Sequence, residues 1–220
     1  MHGVVYVAFG IPARREATAS IGSLWQHNDL PVTVICDSPL DVQGCRYVHV
    51  DGADLDPGAR WAKLNADKLA PKAWARFLYL DADTRIHGSL SDGFEMLDDG
   101  WDVAMAHSEH QEGDDLMWHI GAREQMATLH DLCNPYPLAL QAGVMFVNRN
   151  ERTALLFQAW RDEWLRWGGP DQAALLRALQ RVPVRTWMLG RPWNGGAVVR
   201  HRFGMAKSEE ARRWARQHAA

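Results

Sequence analysis

Cysteine is scarce and scattered in this chain. Cys36, Cys45 and Cys133 are the three among 220 residues. They show no CxxC spacing, which argues against a disulfide framework and a structural zinc site. No apolar run approaches the roughly 20 residues that a membrane-spanning helix needs. The apolar stretch within Met1–Gly10 is too short, and wrongly flanked, for a secretory leader, so a cytoplasmic location is expected. No internal repeat and no low-complexity tract is present. A glycine-rich phosphate loop is also missing, because Gly10-Ile11-Pro12-Ala13-Arg14 follows the first apolar run without that spacing. The formal net charge of −3 provides no global field that would select nucleic acid or membrane.

What is present fits one α/β domain with ample core: 47% of residues are hydrophobic and 23% charged, an ordinary balance for a globular protein of this length. The charge is unevenly placed. From Arg177 onward ten Lys and Arg face two Asp and Glu, a local +8, against −11 over the rest. That asymmetry points to an anionic ligand or surface for the C-terminal segment, with a solvated basic helix as the plainer reading.

Val4–Phe9, Val32–Cys36, Tyr47–Val50 and Phe77–Leu80 read as strands, with helices after Gly10 and over Trp61–Lys72. Val103–Ala106, Ala142–Asn148 and Val198–His201 read as further strands. Helices are expected over Glu151–Trp167, from Asp171 through Leu179, and from Ser208 to His218. Alternation of this kind predicts a mostly parallel central sheet flanked by helices. The polar stretch 107–138 reads as an insertion or lid.

Phe77-Leu78-Tyr79-Leu80-Asp81-Ala82-Asp83-Thr84 is the most informative stretch. A buried strand runs straight into two carboxylates at i and i+2. At a strand's C-terminal end, where open α/β sheets bind ligands, a turn lets both acids converge on a hard divalent cation. The bland alternative is a solvated strand-to-turn junction.

Further motifs accompany it in order: Lys63-Leu64-Asn65, then Gln141-Ala142-Gly143-Val144-Met145-Phe146-Val147-Asn148, then Asp171-Gln172-Ala173-Ala174, then His201-Arg202-Phe203-Gly204-Met205-Ala206-Lys207. The ordered set, spanning nearly the whole chain, resembles glycosyltransferase family 8. The resemblance implies a single GT-A type nucleotide-diphospho-sugar transferase domain over 1–220, with a nucleotide-binding half (1–106) and an acceptor-binding, metal- and pyrophosphate-completing half (107–220). It implies a metal-dependent, retaining hexosyltransferase using a UDP-sugar. Asp81, Asp83 and His201 match the family's metal ligands, with Mn²⁺ the expected ion and Mg²⁺ its rival. Lys63, Asp171 and Gln172 take catalytic or sugar-pocket positions. Ala8, Phe9, Lys63, Asp81, Ala82, Gly143, Gly204 and Lys207 fall at donor-binding positions. Where the family often carries Thr or Asn near the end of the first strand, this chain has Ala8-Phe9-Gly10-Ile11.

Each residue also has a plainer role. Asp171 could cap its helix, Gly143 could serve a close approach within the sheet, and Lys63 and Lys207 could be solvated charges. Trp160, Trp164 and Trp167 share one helical face and read as core or a partner surface. Trp193-Asn194-Gly195-Gly196 is loop-like and is the better candidate for acceptor contact, since aromatic faces stack on sugars. The acceptor could be a glycan, a protein side chain or a hydroxymethylated DNA base. The basic C-terminal segment is a candidate for peripheral contact. The rival functions are a catalytically degenerate nucleotide-sugar-binding homologue and a nucleotidyltransferase. The intact Asp81, Asp83, His201 and Lys207 oppose the first, and the missing glycine-rich loop opposes the second.

Overall fold

A computed structural model describes residues 1–51, 58–107, 120–134, 138, 140–168 and 170–206. Strand β1 (His2–Ala8) leads into helix α1 (Gly10–Trp25), then β2 (Val32–Cys36) and β3 (Cys45–His49). Two short helices, α2 (Gly58–Leu64) and α3 (Ala66–Leu69), precede β4 (Arg76–Asp81), β5 (Thr84–Ile86) and α4 (Ser91–Asp98). The second half runs through β6 (Val103–His107), α5 (Ala122–Leu132), β7 (Leu140–Asn148), α6 (Glu151–Trp167), α7 (Asp171–Arg181), β8 (Thr186–Leu189) and β9 (Val199–His201).

The main sheet has seven strands in the order β3-β2-β1-β4-β7-β6-β8. All are parallel except β7, which runs against both β4 and β6. Val5, Val7 and Ile35 pack on one face with α2, α6 and α7, while Val4, Tyr6 and Val34 pack on the other with α1 and α4. Both faces are covered, which is why the strands read as continuous apolar runs and not as alternating ones. The Trp160 and Trp164 side chains lie in the core, as the helical-face reading of α6 allowed.

Two features of the fold build the site. The antiparallel partner of β4 places Val144 opposite Leu80, so Gly143 arrives beside Asp81. A separate two-stranded sheet pairs Thr84 of β5 with His201 of β9. The Arg202 amide donates to the Asp83 carbonyl at 2.8 Å and locks the two segments together. Arg85 of β5 anchors this small sheet to α1 through Glu16 at 2.6 Å.

The single helix expected over Trp61–Lys72 is broken at Asn65. Its side-chain amide donates back to the Trp61 carbonyl at 2.9 Å, a local bond that competes with helix continuation. Lys207, Trp118, the expected helix over Ser208–His218 and much of the 107–138 stretch lie outside the described residues. Among the described residues, no helix is long and apolar enough to cross a membrane.

Candidate active site

The last residue of β4 carries the first acid. Asp81 and Tyr79 are two apart and share a face of the strand. The Tyr79 hydroxyl donates to Asp81 Oδ1 at 2.8 Å. Burial, then the neighbouring carboxylate, pushes the Tyr79 hydroxyl well above its ordinary range, so it stays a donor. Lys63, at the end of α2, comes from the same side. Its ammonium lies 3.2 Å from Asp81 Oδ1 and 3.1 Å from Asp171 Oδ2. Burial alone would lower the Lys63 pKa; Asp171 and Asp81 outweigh it and hold the ammonium charged.

The second acid lies past the turn. Asp83 is 5% exposed, and its Oδ1 is 3.1 Å from His201 Nε2. The same imidazole nitrogen is 3.7 Å from Asp81 Oδ2. Burial pushes the Asp83 carboxyl up, but His201 and the Ala206 amide more than offset it, so Asp83 titrates below the usual carboxylate range. Asp81, Asp83 and His201 can each present one ligand atom with all three within 4.8 Å of one another.

The residues fit a divalent cation. Two carboxylates and one imidazole form the oxygen-and-nitrogen donor set that suits Mn²⁺ or Mg²⁺. Among the described residues, His201 Nδ1 is buried without a hydrogen-bond partner. The wall facing them is bare because position 143 is glycine. A Cβ there would meet His201 Cε1 at 2.4 Å and Asp81 Oδ2 at 2.6 Å.

The remaining candidates divide. Asp171 does not cap α7: Pro170 holds the cap position, no side-chain cap bond forms, and the Asp171 carboxylate turns to Lys63. Gln172 sits beside it in the first helical turn. Gly204 adopts φ +79°, which suits a backbone turn beside Asp83. Ala82 is buried between the two acids, and Ala8 is fully buried. Trp193 does not offer a stacking platform. It is 9% exposed and packs edge-on against Phe146 at 5.4 Å, so the core claims it. The sequence reading missed Tyr79, whose i−2 relation to Asp81 was the available signal. It also missed Phe203, which stacks on His201 at 4.0 Å.

No protein-family model matches the chain, and no curated protein matches it by sequence. Solved structures do match. Mouse xyloside xylosyltransferase 1, in its apo form, superposes with a TM-score of 0.57 at 15% identity, over 86% of this chain and 84% of that one. The galactosyltransferase LgtC, in complex with donor and acceptor sugar analogues, gives 0.57 at 13% identity, over 86% and 73%. The glycosyltransferase GlyE of Streptococcus pneumoniae TIGR4 gives 0.56 at 19% identity, over 85% of this chain but 44% of its own. The fold is that of the GT-A glycosyltransferases. In this GT-A fold the acidic cluster occupies the C-terminal edge of the parallel strands, the edge at which open α/β sheets take their ligands.

Proposed function

We propose that the chain is a metal-dependent glycosyltransferase that moves a hexose from a UDP-sugar to a hydroxyl acceptor with retention of anomeric configuration. The observation that carries this reading is the convergence of Asp81, Asp83 and His201 on one point, at the ligand-binding edge of a glycosyltransferase fold. These three residues would hold Mn²⁺ or Mg²⁺. Bound there, the ion supplies fixed positive charge to a leaving diphosphate.

The chain's own residues then have distinct tasks. Lys63 fixes the orientation of Asp81 and Asp171 together. Asp171 and Gln172, in the first turn of α7, line the sugar side of the site. Because Lys63 engages the Asp171 carboxylate, that group is disposed to orient hydroxyls and not to attack C1. This favours front-face transfer: the acceptor oxygen bonds to C1 as the C1–O bond to the diphosphate breaks, and the acceptor proton passes to the leaving diphosphate. Lys207 is proposed as a further cation at the diphosphate. The acceptor is a hydroxyl on a glycan, a protein side chain or a hydroxymethylated DNA base.

The test is donor hydrolysis across UDP-, GDP- and TDP-sugars, with Mn²⁺ or with chelator. The expected result is slow, Mn²⁺-dependent release of nucleoside diphosphate from one donor, abolished in Asp83→Ala while the far-UV spectrum stays unchanged. Release that persists in the variant, or that ignores chelator, would overturn the site assignment.

A further inference from the structure

The face that α1 turns to the core is apolar except at Ser20, which is fully buried. Tyr6 of β1 and Thr84 of β5 are fully buried as well. Buried hydroxyls need partners, and these three find one another. Tyr6 Oη lies 3.0 Å from Ser20 Oγ, and Ser20 Oγ lies 2.9 Å from Thr84 Oγ1. Thr84 Oγ1 donates to the Asp81 carbonyl at 2.9 Å.

The direction of this chain follows from its end. A carbonyl only accepts, and each hydroxyl has one proton to give. The Thr84 proton is spent on Asp81, so Thr84 Oγ1 accepts from Ser20. The Ser20 proton is then spent too, so Ser20 accepts from Tyr6. Burial pushes the Tyr6 hydroxyl well above its ordinary range, which keeps that proton in place. The hydrogen bonds therefore run one way, from β1 through α1 to the turn between the two acids.

Thr84 is tied to all three residues of the acidic cluster. It follows Asp83 in sequence, pairs with His201 across β5 and β9 and holds the Asp81 carbonyl. Lys63 and Tyr79 act on the Asp81 carboxylate; Thr84 acts on the backbone turn that sets Asp81 against Asp83. Resting on the metal-dependent reading above, we infer that Thr84 is a positioning residue for the metal site, and that Ser20 and Tyr6 aim its proton at the Asp81 carbonyl. Thr84 acts through the three ligands and not on the ion itself.

The test is titration calorimetry with Mn²⁺ alone, beside urea unfolding of the same variants. Thr84→Val keeps the branched shape and removes the hydroxyl. It is expected to lower Mn²⁺ affinity about tenfold, as loss of a group that orients a metal ligand does. Thr84→Ser keeps the hydroxyl and is expected to stay within about twofold of wild type. Ser20→Ala frees the Thr84 proton to swing away from Asp81 and is expected to cost about threefold; it carries the test if Thr84→Val does not fold. Tyr6→Phe removes the far end of the chain and leaves both bonds of Thr84 in place. It is expected to lower the urea midpoint while Mn²⁺ affinity stays within about twofold. Affinity should thus fall with nearness to Asp81, whereas a merely structural role would make it follow stability in every variant. Undiminished affinity in Thr84→Val or in Ser20→Ala overturns the inference, as does a loss in Tyr6→Phe or Thr84→Ser equal to that in Thr84→Val. Wild-type protein that does not bind Mn²⁺ overturns the metal reading beneath it.

Discussion

At the scale of single residues, Gly143 is where one methyl group has the largest expected effect. Its backbone is ordinary strand, so alanine is tolerated conformationally, but the added carbon would press on both His201 and Asp81. The Gly143→Ala variant is expected to lose Mn²⁺ affinity by tenfold or more, about 1.4 kcal/mol, with only a small change in melting temperature. Titration calorimetry with Mn²⁺ alone checks it, and undiminished affinity would show that the three ligands do not meet the ion there. Asp81, Asp83 and His201 are legible in sequence through the ordered set of motifs and the resemblance it carries, since a strand-end acid or imidazole taken alone has a bland reading too. From its local pattern Asp171 reads as a helix starter, and only the resemblance puts it in the sugar pocket. Its pairing with Lys63 joins residues more than one hundred positions apart, and no local pattern encodes that. Trp193 misled for the converse reason: a loop-like tetrapeptide says nothing about how tightly the loop packs on Phe146.

At the scale of elements, α5, α6 and α7 are joined by one buried guanidinium. The Arg177 side chain is 1% exposed. It donates to Glu163 Oε2 at 2.8 Å, Thr128 Oγ1 at 2.5 Å and Glu124 Oε1 at 3.2 Å. Burial pushes the Glu124 carboxyl up despite Arg177. For Glu163 the same burial is outweighed by Arg177 and Arg181, and its pKa falls. Arg177→Met should therefore strand Glu124 and weaken the hold on Glu163. Removing one partner from a buried ion network costs about 3–5 kcal/mol. Urea unfolding should show that loss as a lower midpoint at unchanged slope; a loss below about 1 kcal/mol would mean that water already compensates these acids. The amphipathic pattern of α6 and α7 is readable in sequence. The polar seam between them is not, because a buried arginine and a solvated one look alike in a helical repeat. The break at Asn65 escaped for a related reason: the side-chain bond that ends α2 is one of several that asparagine can make.

At the scale of the molecule, seven strands were readable, the short β5 and β8 were not, and strand direction was not. Between Gln141 and Asn148 β7 is apolar, and such a run carries no sign of pointing against its neighbours. Yet that reversal brings Gly143 to Asp81. Asp102 holds the reversed half of the sheet together. Its carboxylate accepts from Arg152 Nε and Nη2 at 2.7 and 2.8 Å, from Asn150 Nδ2 at 2.7 Å and from the Arg185 amide at 2.8 Å. Its backbone meanwhile bonds to Asn148 and Arg185. One residue thereby links the starts of β6, α6 and β8 to the end of β7.

Burial would raise the Asp102 pKa, but Arg152, the Arg185 amide and Asn150 outweigh it and hold the carboxyl below the usual carboxylate range. A group whose pKa is depressed by folding binds fewer protons in the folded state than in the unfolded one. Its contribution is complete above the unfolded pKa and is lost as pH falls through the folded value. Arg152 is half exposed, so solvent screens that pairing and the amide donors carry a large share. Asp102→Asn should cost about 2–4 kcal/mol at neutral pH, through lost charge-assisted hydrogen bonds. Denaturant titrations repeated between about pH 5 and pH 2 should then show a shallower decline of stability than in the wild-type protein, because one of the titrating groups is gone while Asp37, Asp83 and Glu163 remain. Parallel curves would mean that Asp102 keeps an ordinary pKa.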